Sequence, residues 1–347
     1  MAKNFSKFFQ RLQRIYSYIL WLIFDPSKEI IDEEKIKKVL IVNLGFIGDL
    51  LATTPMIAAL ARKFGKVDVL IREDMSEALS LNPNVRRLIT YTDNFDRNLA
   101  NVKNGNYDLA VIVWPASLEI SNLIRRAKIP YRIGTTQTGL LEGKGYFLTR
   151  KVKPSFHAKH KVEENLDIAR LVGAENKNPK IEFYFSRKDE QIVSTILRRN
   201  KANKFIILHP GKRGKFYAEY SWSLENFAEV ANFLISKGFH VVVTGSKDEQ
   251  RIADEIISSI TNKKKVINLT GKLTLKQFGA LLKHSELLIS IDTASVHMAS
   301  AFSIPTVVLN VKYPEIWHPW MSKEKYKILI SPSASEVIKI SLDLIKK

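Results

Sequence analysis

The residues near the start of the chain that could do chemistry lie in the run Asn43-Leu-Gly-Phe-Ile-Gly-Asp-Leu-Leu-Ala-Thr-Thr-Pro55. This run predicts a strand, a turn and a helix, with Gly45 and Gly48 letting the backbone turn tightly and approach a ligand. Asp49 falls at the start of the helix, where its carboxylate could take a proton from an attacking hydroxyl. Capping of the helix is the alternative role. The run is neither a G-x-G-x-x-G dinucleotide fingerprint nor a P-loop.

A second set of candidates suits anion binding and lies in the other half of the sequence. The run His209-Pro-Gly-Lys-Arg-Gly-Lys215 follows a predicted strand and is rich in cations. Its glycines would expose backbone N–H groups and its cations could neutralise a diphosphate: Gly211, Gly214, Lys212, Arg213 and Lys215. A solvated basic loop is the alternative. Its position after a strand favours the functional interpretation.

A third run, Ser290-Ile-Asp-Thr-Ala-Ser-Val-His-Met-Ala-Ser300, predicts a strand end, a short polar turn and a helix. The N–H groups at the start of that helix would suit a phosphate, with Asp292 and His297 on either side. Taken alone, Asp292 could be a cap and His297 a buried polar residue. Two weaker strand ends are Thr244-Gly-Ser-Lys-Asp-Glu249 and Asn268-Leu-Thr-Gly-Lys-Leu-Thr-Leu275, in which Thr274 is predicted to cap the next helix.

The elements that position these runs follow an alternating pattern of short β-branched segments and helical periods, which predicts parallel sheets covered by helices. The predicted strands are Val39–Leu44, Val67–Ile71, Arg87–Tyr91, Leu109–Val113, Phe205–His209, His240–Gly245, Val266–Leu269, Leu287–Asp292 and Thr306–Asn310. A polar, proline-containing stretch at about 176–190 predicts a linker between two doubly wound domains. Residues 334–346 have a helical period. Ligands of such sheets bind beyond the carboxyl ends of the strands.

Residues 1–24 differ from the rest of the chain. Their apolar residues recur at helical spacing, and Lys3, Lys7, Arg11 and Arg14 are their only charges. This predicts an amphipathic helix on an anionic membrane surface, within a segment 1–35 that also includes a linker. A helix packed on protein is the alternative, and a signal peptide is disfavoured because no small-residue cleavage site follows.

Composition narrows the classes further. The chain has 54 Lys and Arg against 35 Asp and Glu, a formal charge of +19, which favours anionic partners. It has no cysteine, which excludes disulfides and thiolate catalysis. No apolar stretch approaches the ~20 residues of a membrane-spanning helix. The basic segment 144–161 suggests an anionic acceptor, with a solvated loop as the alternative. Nucleic-acid binding is not predicted, because no recognition motif accompanies the charge.

Taken in order, these motifs resemble glycosyltransferase family 9, the lipopolysaccharide heptosyltransferases. The matching segments are Val39–Phe64, Ile207–Gly211, Trp222–Leu234, Val242–Glu249 and Leu269–Leu309. The resemblance implies an α/β GT-B fold, with two Rossmann-like domains facing a central cleft: an acceptor domain at 36–180, a nucleotide-sugar domain at 181–330 and a closing helix at 331–347. It also implies an inverting, metal-independent transfer without a cofactor, in which the nucleotide sugar, expected to be ADP-heptose, is a co-substrate.

The resemblance carries roles onto matching residues. Asp49 would be the general base, and Gly45, Gly48, Thr53 and Thr54 would form the acceptor loop. Donor binding would fall to Gly211, Lys212, Ser246, Lys247, Leu273, Asp292, Thr293, Ala294 and His297. No residue is expected to hold a metal. The acceptor would be an anionic glycolipid, lipopolysaccharide or lipooligosaccharide core, and the protein would work in the cytoplasm on the inner face of the inner membrane.

Three departures from the family pattern bear on specificity. Tyr220 stands where the family has a basic residue, so Lys212 or Lys215 is predicted to supply that charge. Ala294 replaces a glycine, which requires a negative φ there. The run Asn310-Val-Lys-Tyr313 replaces the usual F-G-P-T. Another nucleotide-sugar donor, or a non-catalytic glycolipid-binding relative, are therefore the alternatives. A nicotinamide-dependent dehydrogenase lacks support without the glycine fingerprint.

Overall fold

The structure is a computed structural model that describes residues 19, 30–113, 117–135, 147–153, 155, 157–211 and 221–346. The chain divides into two compact units, Met1–Pro179 (unit 1) and Lys180–Lys347 (unit 2). Each contains a six-stranded sheet, and every pair of neighbouring strands runs parallel. The predicted amphipathic helix at 1–24 lies outside the described residues, Ile19 excepted.

Unit 1 contains strands β1–β6 and helices α1–α4. The strands are β1 (Val39–Val42), β2 (Val67–Arg72), β3 (Val85–Tyr91), β4 (Leu109–Ile112), β5 (Tyr131–Thr135) and β6 (Arg150–Val152). The helices are α1 (Ile47–Phe64), α2 (Phe95–Lys103), α3 (Leu118–Arg126) and α4 (Lys161–Arg170). The strand order is β3-β2-β1-β4-β5-β6. This order reverses between β1 and β4, which is the point where doubly wound sheets bind ligands.

Unit 2 contains strands β7–β12 and helices α5–α11. The strands are β7 (Phe205–His209), β8 (His240–Val243), β9 (Val266–Asn268), β10 (Leu287–Ile291), β11 (Thr306–Leu309) and β12 (Tyr326–Leu329). The helices are α5 (Arg187–Arg199), α6 (Leu224–Ser236), α7 (Gln250–Ser258), α8 (Leu275–Lys283), α9 (Ala294–Phe302), α10 (Pro314–Trp317) and α11 (Ala334–Ile345). The order β12-β11-β10-β7-β8-β9 repeats the topology of unit 1, with its reversal between β7 and β10.

The strand sequences explain why these sheets are buried. Every residue of β1, β4, β8, β10 and β11 is buried, as expected for parallel strands covered on both faces. Helix α11, the predicted closing helix, buries Val337 and Leu344 in the core of unit 2. The core therefore fixes each strand end, and with it the turn that follows.

All nine strands predicted from sequence are present, with boundaries within two residues of those predicted. Three further strands, β5, β6 and β12, were not predicted. Strand β6 reads Arg-Lys-Val and is only partly buried, so it lacks the apolar signature of the central strands. Its register comes from pairing with β5, where Gly134 faces Lys151. In the part of the chain that the structure describes, no helix is long and apolar enough to cross a membrane.

Candidate functional site

The first candidate site is the turn between β1 and α1, at the reversal point of the unit 1 sheet. The buried side chain of Asn43 organises this turn: its Oδ1 accepts a hydrogen bond from the Gly45 N–H at 2.9 Å, and its Nδ2 donates to Thr53 Oγ1 at 2.8 Å. The Thr53 hydroxyl in turn donates to the carbonyl of Asp49 at 2.8 Å. One amide side chain thus joins the turn to the first two turns of the helix.

The Asp49 carboxylate is held at the start of α1. Its Oδ2 accepts a hydrogen bond from the backbone N–H of Phe46 at 2.9 Å. Burial raises the pKa of this carboxyl, while the Phe46 N–H and the nearby Lys161 cation lower it. A carboxylate with a raised pKa, only partly exposed, is suited to accept a proton from a substrate hydroxyl.

Two glycines and two threonines were predicted to form the acceptor loop with Asp49. Gly45 is required there, because a Cβ atom on it would lie 2.7 Å from Asp49 Oδ2. Gly48 is the second residue of α1 and is partly exposed. Thr53 and Thr54 are both buried, and their hydroxyls donate to carbonyls of their own helix.

The buried Thr54 explains how α1 tolerates a proline. Pro55 lies inside the helix and has no N–H for the carbonyl of Leu51, four residues earlier. The Thr54 hydroxyl donates to that same carbonyl at 2.7 Å and so replaces the missing bond. The Thr54 hydroxyl therefore keeps this turn of the helix that carries Asp49 hydrogen-bonded despite the proline.

Helix α4 supports the same region and was not predicted to do so. Its Asn165 donates to the carbonyl of Ala52 at 3.1 Å and to Thr53 Oγ1 at 3.3 Å. At its first residue, Lys161 Nζ bonds Glu164 Oε2 at 2.7 Å, with the two side chains only 13% and 10% exposed. The asparagine at 165 lies far from Asp49 in sequence, so no local pattern could have indicated the contact.

The basic segment 144–161 is less available than its sequence suggests. Lys144 lies outside the described residues. Lys159 pairs with Asp167, and Arg150 donates to the carbonyl of Leu171 at 3.0 Å. His160 is buried and caps α4 by accepting from the Val162 N–H. The predicted loop therefore contains a strand and the start of a helix, and acids of α4 neutralise part of its charge.

The second candidate site lies at the carboxyl ends of β7 and β10, at the reversal point of the unit 2 sheet. Gly211 has a φ of +69°, and a Cβ atom on it would lie 2.4 Å from Cδ1 of Ile291. It would also lie 3.4 Å from Cγ2 of Thr293. The predicted donor residues Gly211 and Thr293 are therefore neighbours. Lys212, Lys215 and Tyr220 lie outside the described residues, so the predicted replacement charge stays a prediction.

The start of α9 has the character of an anion-binding end. Thr293 is its N-cap residue, yet the Thr293 side chain accepts no hydrogen bond from the first N–H groups of the helix. The Thr293 hydroxyl instead bonds Ser295 Oγ at 2.7 Å, and Ser295 bonds Ser290 Oγ at 2.8 Å. Ala294 is the first helical residue and does not have a positive φ, so the methyl group causes no strain.

Burial shifts the pKa values of both Asp292 and His297. Burial raises the pKa of Asp292 to about 6, and Thr293 rather than Asp292 occupies the cap position. Burial, with the neighbouring His318, lowers the pKa of His297 to about 4. The His297 ring is 4% exposed and packs edge-on against Trp317 at 5.5 Å, and its Nδ1 has no hydrogen-bond partner among the residues that the structure describes. A neutral imidazole with an unused nitrogen at this helix could accept a ligand's hydrogen bond.

The remaining predicted donor residues lie at the neighbouring strand ends. Ser246 and Lys247 follow β8 and are exposed, and the Ser246 N–H donates to the buried Glu249 carboxylate at 2.6 Å. Gly271, with a φ of +67°, lies against the backbone of Lys247. Leu273 follows on this turn and is half-buried. The Lys247 ammonium group and the start of α9 therefore follow strands of the same sheet at its carboxyl edge, and both could bind a diphosphate.

The comparison that decides the family covers most of the chain. The profile of glycosyltransferase family 9 (heptosyltransferase) matches residues 97–340. The chain belongs to this family.

Similar proteins agree with family 9 membership. "Lipopolysaccharide heptosyltransferase 3" of Escherichia coli is 27% identical over 79% of this chain and 82% of its own length. A glycosyltransferase of family 9 from Veillonella parvula has a TM-score of 0.78 at 17% identity, covering 92% of this chain and 99% of its own. E. coli ADP-heptose lps heptosyltransferase II has a TM-score of 0.77 at 19% identity, covering 89% and 98%. The chain is thus a glycosyltransferase with the α/β GT-B fold that the motifs implied.

One departure from the family 9 pattern has a structural explanation. Asn310 directly follows β11 and has a φ of +56°, a conformation that asparagine tolerates better than most residues. Its Nδ2 donates to the carbonyl of Ser221 at 2.9 Å, and its Oδ1 accepts from the Ser331 N–H at 2.7 Å. Asn310 therefore joins three segments of unit 2. Trp222, part of the family resemblance, is buried and donates to the carbonyl of Pro332 at 2.9 Å.

Proposed function

We propose that this glycosyltransferase moves heptose from ADP-heptose onto a lipopolysaccharide or lipooligosaccharide core acceptor, with inversion and without a metal or cofactor. The observation that supports this proposal most is the position of the Asp49 carboxylate at the reversal point of the unit 1 sheet. It accepts a hydrogen bond from the Phe46 N–H, and burial raises its pKa. Similar proteins are named for heptose transfer, and one of them for ADP-heptose.

The proposed chemistry is a single displacement. Asp49 takes the proton of an acceptor hydroxyl, whose oxygen forms a bond to the anomeric carbon of the donor. The bond from that carbon to the diphosphate oxygen breaks, and ADP keeps its electron pair. ADP departs on the face opposite the attacking oxygen, so the anomeric centre is inverted. Lys247 and the uncapped start of α9 would stabilise the leaving diphosphate. This is why we propose that no metal is needed.

A thermal-shift screen tests the donor. ADP-heptose should raise the Tm more than ADP, UDP-glucose or UDP-N-acetylglucosamine at the same concentration, because a ligand that binds the folded state more tightly stabilises it more. The same rise should persist with EDTA. A response to a UDP-sugar alone would replace heptose transfer by the alternative of another donor. Binding of a core oligosaccharide with no donor response would favour the non-catalytic alternative.

We further propose that residues 1–24 hold the enzyme on the cytoplasmic face of the inner membrane. Support comes from the sequence, where four cations accompany one apolar face. Sedimentation with vesicles tests this: the protein should bind vesicles containing phosphatidylglycerol, and Lys7→Glu with Arg11→Glu should weaken binding. Equal binding to neutral vesicles would argue against the electrostatic part. Unchanged binding in the variant would remove the segment from the account.

A further inference from the structure

An exposed aromatic side chain lies next to the proposed base. Phe46 immediately precedes α1 and is 65% exposed, while its backbone N–H donates to Asp49 Oδ2 at 2.9 Å. A single exposed apolar side chain is common on protein surfaces and needs no special cause. The position of this one is what makes it informative, because its backbone is bonded to the carboxylate that would accept the substrate's proton.

A guanidinium group lies over the same ring. Arg72 is the last residue of β2, the strand beside β1, and its Cζ is 5.2 Å from the centre of the Phe46 ring. Asp74 holds Arg72 there, through bonds from Nε at 3.2 Å and Nη2 at 2.7 Å. The Nη1 group is not used by Asp74. The Arg72 side chain as a whole is 38% exposed.

The combination suits one class of ligand. The flat, exposed face of an aromatic ring packs against the C–H groups of a sugar, and a planar guanidinium binds carboxylate or phosphate through paired N–H groups. A sugar bearing an anionic group therefore matches the chemistry of this surface better than a neutral one.

We propose that Phe46 and Arg72 form the acceptor subsite beside Asp49: the Phe46 ring packs against the acceptor sugar, and Arg72 binds an anionic substituent on it. This inference rests on the proposed function, since it assumes that Asp49 faces an acceptor hydroxyl. Asp74 is a positioning residue in this scheme, because it orients the guanidinium without contacting the sugar. The anion is a carboxylate or a phosphate ester, which share the same recognition.

Steady-state kinetics with a core lipooligosaccharide acceptor tests the subsite. Arg72→Ala should raise the acceptor KM about tenfold, the effect of losing a charge-assisted hydrogen bond, and leave the donor KM unchanged. Arg72→Lys should restore only part of the loss, because lysine lacks the planar fork. Phe46→Leu keeps an apolar side chain but removes the flat face, and should also raise the acceptor KM. Arg251→Ala, which removes an exposed arginine paired with Glu255 in unit 2, is the matched control.

The identity of the anion follows from altered acceptors. If Arg72 binds phosphate, enzymatic dephosphorylation of the acceptor should raise the wild-type KM to that of Arg72→Ala and leave the variant unaffected. If Arg72 binds a carboxylate, dephosphorylation should change the acceptor KM of neither the wild type nor Arg72→Ala. Amidation of the carboxylate should then raise the wild-type KM to that of Arg72→Ala. An unchanged acceptor KM in both Arg72→Ala and Phe46→Leu would overturn the subsite while leaving the proposed transfer intact.

Titration calorimetry with the acceptor, in the absence of donor, tests the subsite separately from the proposed heptose transfer. Wild-type protein should bind the core oligosaccharide and Arg72→Ala should bind it more weakly, whether or not transfer occurs. Weaker binding in the variant alongside a wild type that transfers no heptose would support the subsite and refute the proposed function. No measurable binding by the wild type would overturn the subsite.

Discussion

A Cβ atom placed on Gly45 would lie 2.5 Å from the Cβ of Asp49 and 2.7 Å from its Oδ2. Real Cβ atoms do not approach other atoms so closely, so Gly45 and the position of the carboxylate depend on each other. The Asp49 side chain folds back over the turn to reach the Phe46 N–H, and only a glycine leaves room for it. The first glycine of the motif therefore acts on the proposed base directly.

Gly45→Ala should consequently displace the carboxylate without unfolding unit 1. We expect kcat to fall by about 10- to 100-fold, because small misplacements of a reacting group are costly. Donor binding should be unaffected. Gly65→Ala, at the far end of α1, is the control: its φ is +83° and nothing lies within 4 Å of the added carbon, so it should lower stability but not kcat. An unchanged kcat in Gly45→Ala would separate the glycine from the base.

Lys161 should set the pH at which Asp49 works. Its cation lowers the pKa of the Asp49 carboxyl against the effect of burial. A general base acts when ionised, so the rate falls as pH drops through its pKa. Lys161→Met should therefore move the acid limb of the kcat/KM profile to higher pH, and Lys161→Arg should leave it in place.

Two controls accompany that profile. Lys159→Met removes the partner of Asp167 on the same flank and should not move the acid limb. Lys161→Met also leaves the poorly exposed Glu164 without its cation, so the double variant Lys161→Met with Glu164→Gln should be measured too. If the acid limb stays in place in both Lys161→Met and the double variant, a group other than Asp49 limits the rate at low pH.

Gly211→Ala should impair unit 2 in two ways. Its φ of +69° is unfavourable for alanine, and the added carbon would meet Ile291 at 2.4 Å beside the start of α9. Gly238 has a φ of +94° with nothing within 4 Å, so Gly238→Ala should cost only the backbone strain, about 1 kcal/mol. We expect Gly211→Ala to lose more stability than this in urea unfolding, and to bind ADP-heptose more weakly. Equal losses and unchanged binding would contradict the packing described here.

His297 should make the protein less stable in mild acid. Its folded pKa of about 4 lies below the ordinary value of 6.5, so the stability it contributes is present above 6.5 and is lost as pH falls toward 4. Between pH 7 and pH 5 the loss is about 2 kcal/mol of unfolding free energy. Asp292 acts in the opposite direction over part of this range, because its carboxyl has a raised pKa of about 6.

His297→Asn isolates the histidine. In urea, the free energy of unfolding of the variant should be lower than that of the wild type at pH 7. This difference should be smaller at pH 5, where the wild type has lost the stability that the histidine contributes. Asp292→Asn is the complementary variant. Its free energy of unfolding should exceed that of the wild type by most at pH 7, because it removes a buried charge. A constant difference between His297→Asn and wild type at both pH values would show that the imidazole does not titrate as described.

The sequence predicts the buried parts of this fold well and its polar edges poorly. The strand Phe205–His209 is apolar and buried except for its last residue, and both of its ends were predicted to the residue. Arg150–Val152 carries no such signal, because its structure comes from pairing with β5. The contribution of Thr54 could have been inferred from the proline after it. The contact of Asn165 with Thr53 could not, since it depends on tertiary packing.

The same distinction applies to the candidate site. Motif resemblance indicated Asp49, Gly211 and Thr293, and the structure places Gly211 beside Thr293 across two strands that are distant in sequence. Resemblance could not indicate the cation over Phe46 or the ion pair at Lys161. Those depend on side-chain positions that this chain sets through its own neighbouring strands and helices.

The central claim is that Asp49 is the base for sugar transfer, and Asp49→Asn tests it most directly. Asparagine keeps an oxygen that can accept from the Phe46 N–H, so the turn should survive while the proton acceptor is lost. Single-turnover transfer from ADP-heptose to core lipooligosaccharide should slow by about a thousandfold, with the Tm shift caused by ADP-heptose retained. Transfer by Asp49→Asn at the wild-type rate would show that another group removes the proton.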